Sequence, residues 1–150
     1  MQPVQVYPNI YLGAGRDLTP IFTAKKGITH VINCAFPEDS PEWFRRQHSD
    51  KYVGINAMDR TDVKILAWYP MFEDAMRDFL RTGGTVFVHC QMGINRSACL
   101  LLYFMHKNFG LDFKTLVDRV RVHRPICSNP AFMKEIMDSI ELGKGSVSPS

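Results

Sequence analysis

Nothing in this 150-residue sequence is long and apolar enough to cross a bilayer as a helix. The longest unbroken apolar run, Ala98 to Met105, has eight residues, against the roughly 20 that a span requires. No charged segment with an apolar core opens the chain, Gln2 follows Met1, and the last residues are Ser148-Pro149-Ser150. Signal-peptide, myristoyl and prenyl patterns are therefore missing, which predicts an intracellular protein, cytoplasmic or nuclear, with no membrane partner. Cysteine is scarce as well. Cys34, Cys90, Cys99 and Cys127 form no C-x-x-C pair and no histidine lies at ligand spacing around them. That excludes a disulfide framework, argues for a reducing compartment, and predicts neither a structural metal nor a cofactor. Dense runs of one charge are also missing. A net charge of +3 leans toward anionic partners only slightly, and without a Lys/Arg tract nucleic acid is not the expected partner.

What the chain does have is an ordinary apolar complement of 45% with 22% charged residues, the balance of one globular domain with a real core. We expect that domain over residues 1–142, monomeric, with a mobile tail at 143–150, "GKGSVSPS". Val4 to Gly13 reads as a strand pair turning at Pro8-Asn9, and Thr29 to Ala35 as a buried strand. Asp17 to Lys26 reads as a short helix between them. Phe36 to Asp50, with two prolines and mixed charges, reads as a surface excursion on which Trp43 packs while Arg45 and Arg46 stay solvated. Lys51 to Asn56 is a further strand. From Val63, apolar residues at helical spacing predict a helix with Asp62 as its N-cap, ended by Gly83-Gly84. Thr85 to His89 is the next strand, followed by helices over Ser97–Asn108, around Phe113–Val120 and around Met133–Ile140. Alternating strands and helices predict an α/β fold with a central, mostly parallel twisted sheet flanked by helices.

One loop in that scheme carries chemistry. Between the strand ending at His89 and the helix opening at Ser97 lie Cys90, Gln91, Met92, Gly93, Ile94, Asn95 and Arg96. A strand-to-helix loop turns its amides outward and adds the positive end of the helix dipole, which makes an anion site. Gly93 permits the tight turn, and the Arg96 fork suits two phosphate oxygens. The same environment favours a thiolate at Cys90. A thiolate beneath a phosphate cradle is a nucleophile aimed at phosphorus, so the loop implies phosphoryl transfer to Cys90 followed by hydrolysis. Leaving-group protonation then needs an acid elsewhere. The stretch "INAMDRTDVKI" offers Asp59 and Asp62.

His89-Cys90, five residues, Arg96 and Ser97 resemble the signature of the cysteine-based protein tyrosine phosphatases, and the order of motifs along nearly the whole chain resembles the small dual-specificity branch. These are "YPNIYLGAG", "GITHVINCA", the acidic stretch, the signature loop and "RPICSNPAF". The resemblance implies a cysteine-phosphatase fold acting on phosphotyrosine and phosphoserine or phosphothreonine in phosphorylated proteins, through a cysteinyl-phosphate. It implies that residues 91–96 bind phosphate and that Asp59, 31 residues before Cys90, is the general acid. It gives Ser97 the support of the leaving thiolate, His89 the ordering of the loop, and Arg124 and Asn129 an outer anion contact and a brace. The family often has Pro before that Asn, whereas this chain has Ser128. Cys34, at the end of its strand, is either an inert core cysteine or a redox partner of Cys90.

Two rivals accompany this reading. Asn95 directly before Arg96 is similar to the RNA 5′-triphosphatase branch, against which stand Ser97, Asp59 and the lack of a basic tract. A non-catalytic phosphoprotein-binding module on the same fold would be expected to lose Cys90, Arg96 or the acid.

Overall fold

The computed structural model describes the backbone of residues 1–146 and the side chains of residues 1–144. The strands are β1 (Val4–Tyr7), β2 (Ile10–Ala14), β3 (His30–Asn33), β4 (Tyr52–Gly54) and β5 (Val86–Cys90). The helices are α1 (Pro20–Lys26), α2 (Glu42–Gln47), α3 (Tyr69–Arg81), α4 (Arg96–Phe109), α5 (Phe113–Arg121) and α6 (Pro130–Ser146). The sheet runs β1-β2-β5-β3-β4, with β1 antiparallel to β2 and the other pairings parallel. The mixed α/β layering with a mostly parallel sheet is thus as the sequence leads one to expect.

Strand alternation divides the core in two. Ile10, Leu12, Ile32, Val86 and Val88 face one cluster, which α3, α4, α5 and α6 complete. Tyr11, Val31 and Phe87, one residue out of step, face the other with Leu18, Ile28 and Phe44. Both faces are covered, which is why β2, β3 and β5 are buried at every position. Helix α4 is buried continuously from Arg96 to Met105. A helix enclosed on all sides belongs at the centre of its layer, so its N-terminus, and Arg96 with it, is fixed by the core.

Three expectations need correction. The excursion Phe36–Asp50 contains α2, whose Phe44 is only 1% exposed and seals the smaller core. On it, Trp43 packs, as expected, and donates Nε1–H to the Leu18 carbonyl, and Arg46 pairs with Glu42 in solvent, but Arg45 is half-buried over the Tyr52 ring rather than solvated. The helix foreseen from Val63 begins later, as a 3₁₀ turn over Ile65–Trp68 running into α3. Pro70 is the cause: it lacks an N–H and its ring would collide with the carbonyl four residues back, so it suits only the first turn. Asp62 is therefore not an N-cap; it pairs in solvent with Arg60, and the Glu135 carboxylate accepts the Ile65 and Leu66 amides instead. Lastly, residues 143–146 are the end of α6 rather than a tail. An interior Gly costs a helix only about 1 kcal/mol, and here Lys144 pairs with Glu141 on the same face. Residues 147–150 lie outside the described residues.

Candidate active site

Strand β5 delivers Cys90 to the C-terminal edge of the sheet, six residues before α4 begins. Gly93 sits midway at φ 68°, where a Cβ would strike the Gly13 carbonyl and the Arg124 guanidinium. Only glycine fits this turn. The turn folds the loop over the sulfur: Gly93 N–H donates to Cys90 Sγ at 3.3 Å and Ser97 Oγ–H donates to it at 3.2 Å. Arg96 is 8% exposed. Its Nη1 donates to the Ala57 carbonyl at 3.0 Å, while its buried Nε has no protein acceptor. A buried guanidinium N–H without a partner is costly, and this one is left able to donate to a bound anion.

His89 is fully buried behind the loop. Its Nδ1 lies 3.0 Å from the Cys90 carbonyl and its Nε2 lies 3.0 Å from Ser40 Oγ. A carbonyl only accepts, so Nδ1 carries the proton and Nε2 accepts from the serine. Burial lowers the His89 pKa to about 4, against a smaller opposing pull from the Cys90 carbonyl bond, so the ring is neutral near pH 7. It orders the loop without adding charge.

Arg124 is 1% exposed and lies beneath the loop. Its Nε donates to the Gly93 carbonyl at 3.1 Å, its Nη2 to the Met92 carbonyl, and its Nη1 to the Gln2 carbonyl at 2.8 Å. Three of its five N–H donors thus tie the loop to the first residues of the chain, and its Nη1 also lies 3.9 Å from the Asp17 carboxylate. The backbone of Cys127 adds a further tie, N–H to the Ile94 carbonyl at 2.8 Å, and Arg121 in turn holds the carbonyls of Ile126 and Cys127.

Opposite the loop stands Asp59. Asn95 Nδ2 donates to its Oδ2 at 3.0 Å and Asn129 Nδ2 to its Oδ1 at 2.9 Å. Asn129 Oδ1 meanwhile accepts the Ala131 and Phe132 amides at the start of α6. Asp62 points away to Arg60, so the two aspartates flagged in the sequence part company here.

Gln91 and Met92 are exposed, Met92 by 40%. From them a groove of about 580 Å³ runs between Arg16 and Glu38 toward Trp43. Cys34 follows β3, where its N–H donates to the His89 carbonyl at 2.7 Å. Burial, then the charge of nearby Cys90, pushes its thiol pKa well up. The sulfur contact that the structure shows is elsewhere, with Cys99 and Cys127 3.7 Å apart.

Four contributors escaped the sequence reading: Ser40, Ala57, Arg121 and Glu135. Ser40, Ala57 and Glu135 act on residues 39 to 70 positions away, and only Arg121, whose contacts are 5 and 6 residues on, carries a hint, as a cation at the end of a helix.

A family model of the dual specificity phosphatase catalytic domain matches residues 10–141. Human dual specificity protein phosphatase 13B is 33% identical over 139 residues, covering 88% of this chain and 69% of that protein. The solved structure of human DUSP28 superposes with a TM-score of 0.80 at 23% identity, over 96% of each chain. That of human tyrosine phosphatase-like serine/threonine/tyrosine-interacting protein does so with 0.74 at 21% identity, over 95% of this chain and 98% of that one. These two likenesses establish the cysteine-phosphatase fold. The family match runs from β2 into α6, through both loops of the site, and the chain belongs to the dual specificity phosphatase family, whose catalytic domain it carries.

Proposed function

We propose that this domain removes phosphate from tyrosine and from serine or threonine side chains of proteins through a cysteinyl-phosphate on Cys90. The observation that carries the reading is the paired donation of Gly93 N–H and Ser97 Oγ–H to one sulfur, beside an Arg96 Nε with no protein partner. In the first step the Cys90 sulfur bonds to phosphorus, the P–O bond breaks, and Asp59 gives its proton to the leaving oxygen. Arg96 and the loop amides hold the three equatorial oxygens. In the second step water attacks phosphorus, its proton passes to the Asp59 carboxylate, and the sulfur leaves as a thiolate steadied by Ser97. The donor hydroxyl of Ser97 suits that task because it already points at the sulfur.

The fold alone does not separate an enzyme from a binding module, since a phosphatase-like interacting protein shares it. The retained Cys90, Arg96 and Asp59 support the enzyme. Rates on a phosphotyrosine peptide, a phosphothreonine peptide and 5′-triphosphate RNA, measured side by side, test the substrate class. Hydrolysis of both peptides with little action on RNA is the expected result; preference for RNA would reverse it.

A second reading concerns Cys34, whose backbone neighbours that of Cys90 across the β3–β5 pairing. If peroxide converts Cys90 to a sulfenic acid, the Cys34 thiol would displace water from it to give a disulfide. Peptide mapping after mild peroxide tests this: a Cys34–Cys90 link supports it, and overoxidised Cys90 with free Cys34 refutes it in favour of an inert core thiol.

A further inference from the structure

Asn95 occupies the N-cap position of α4 but makes no capping hydrogen bond. That is unexpected of asparagine, which is among the residues most favoured there because its side chain bonds an amide of the first turn. Here the side chain is turned outward. Its Oδ1 accepts from Ser128 N–H at 2.7 Å, from Ser128 Oγ–H at 3.2 Å and from Asn129 N–H at 3.0 Å. Three donors converging on one atom fix it as the oxygen, which forces Nδ2 to the other side. There it donates to Asp59 Oδ2.

We propose that Asn95, held by Ser128, is a positioning residue that aims Asp59 at the leaving group. The proposal rests on Asp59 being the general acid. Met58 to Asp62 are exposed throughout, so nothing in the packing sets the direction of the Asp59 side chain. Its two oxygens are set by two amides, Asn95 on one and Asn129 on the other. Asn95 also belongs to the phosphate loop, one residue before Arg96. Whatever orients Asn95 therefore ties the position of the acid to that of the phosphate.

Two departures from the family pattern become one feature in this light. A proline at 128 would lack the N–H that lies closest to Asn95 Oδ1. Serine supplies that N–H and a hydroxyl as well. Asparagine before the signature arginine thus has a use in this chain that involves no RNA: it needs a donor at 128 to be locked, and it has one.

The test exploits the fact that a general acid matters in proportion to how poor the leaving group is. Turnover of Asn95→Ser, Asn95→Asp and Ser128→Pro is to be compared on phenyl phosphate, which needs protonation, and on 2,4-dinitrophenyl phosphate, which leaves unaided. Asp59→Asn is the reference. We expect Asp59→Asn to lose phenyl phosphate activity selectively, and the three variants to show the same selectivity at about tenfold, a fraction of the full worth of an acid. Asn95→Asp keeps the acceptor for residues 128 and 129 but turns an anion toward Asp59, and should be the worst of the three. Asn95→Ser combined with Ser128→Pro should be no worse than the poorer single variant, since both cut one chain of contacts. Equal losses on the two substrates would mean that Asn95 merely shapes the phosphate loop, and no loss on either would mean that Asp59 needs no guide; both overturn the proposal. If Asp59→Asn itself shows no selectivity, the acid assignment falls and the proposal falls with it. The denaturant midpoint of each variant, measured beside the rates, reports folding independently of both substrates.

Discussion

Residues 90–97 and residues 58–62 face each other across the site, and the chain secures them in opposite ways. The first stretch is anchored in the interior: Cys90, Gly93, Arg96 and Ser97 are buried, with His89 behind and Arg124 beneath. The second is exposed at every residue and is fastened at Asp59 by amides reaching over from Asn95 and Asn129. The proposed nucleophile is thus a part of the core, whereas the proposed acid is held from outside it. Stability and catalysis should be coupled in the first stretch and separable in the second.

Cys90→Ser gives the largest effect. Turnover should vanish while a phosphopeptide still binds, because Arg96 and the loop backbone remain; measurable turnover would remove Cys90 from the mechanism. Asp59→Asn comes next, lowering turnover of phosphotyrosine by about 10²- to 10⁴-fold with the unfolding midpoint unchanged. A drop in that midpoint would break the comparison. His89 tests the interior side. Its folded pKa of about 4 lies below the unfolded value of 6.5, so the unfolded chain takes up the proton first as pH falls. The contribution of His89 to stability is complete above pH 6.5 and is lost between there and about 4, up to about 3 kcal/mol. Denaturant midpoints at pH 7 and 5 should converge in His89→Asn relative to the unmodified protein; an unchanged difference would contradict the neutral buried ring. The smallest effect belongs to Asp62→Ala, which removes an exposed partner of Arg60 and should alter neither turnover nor midpoint. Loss of activity there would transfer the acid role from Asp59.

The phosphate loop was legible in the sequence because its whole geometry is written within nine consecutive residues. A strand, a tight turn and a helix start leave little freedom for Cys90, Gly93 and Arg96. Asp59 was legible only by its distance from Cys90 and through the resemblance. The job of Asn95 was not legible, since its partners lie 33 to 36 residues away, and that one residue pointed instead toward RNA. Helix α2 was hidden by Pro37 and Pro41, which read as breakers although Pro41 only precedes the helix. The start of α3 was misplaced for the opposite reason, because Pro70 within an otherwise helical pattern was passed over. Helix α6 outran the periodicity of its apolar residues, which fades before Gly143 while the backbone continues.

The guanidinium of Arg124 joins three carbonyls, two of the phosphate loop and one at Gln2. In mechanical terms it is a link between the residues that precede β1 and the catalytic loop. Tension on the N-terminus is tension on Met92 and Gly93. Immobilising the protein through Met1 should therefore change its turnover more than the same tether placed at Lys25, on the exposed side of α1.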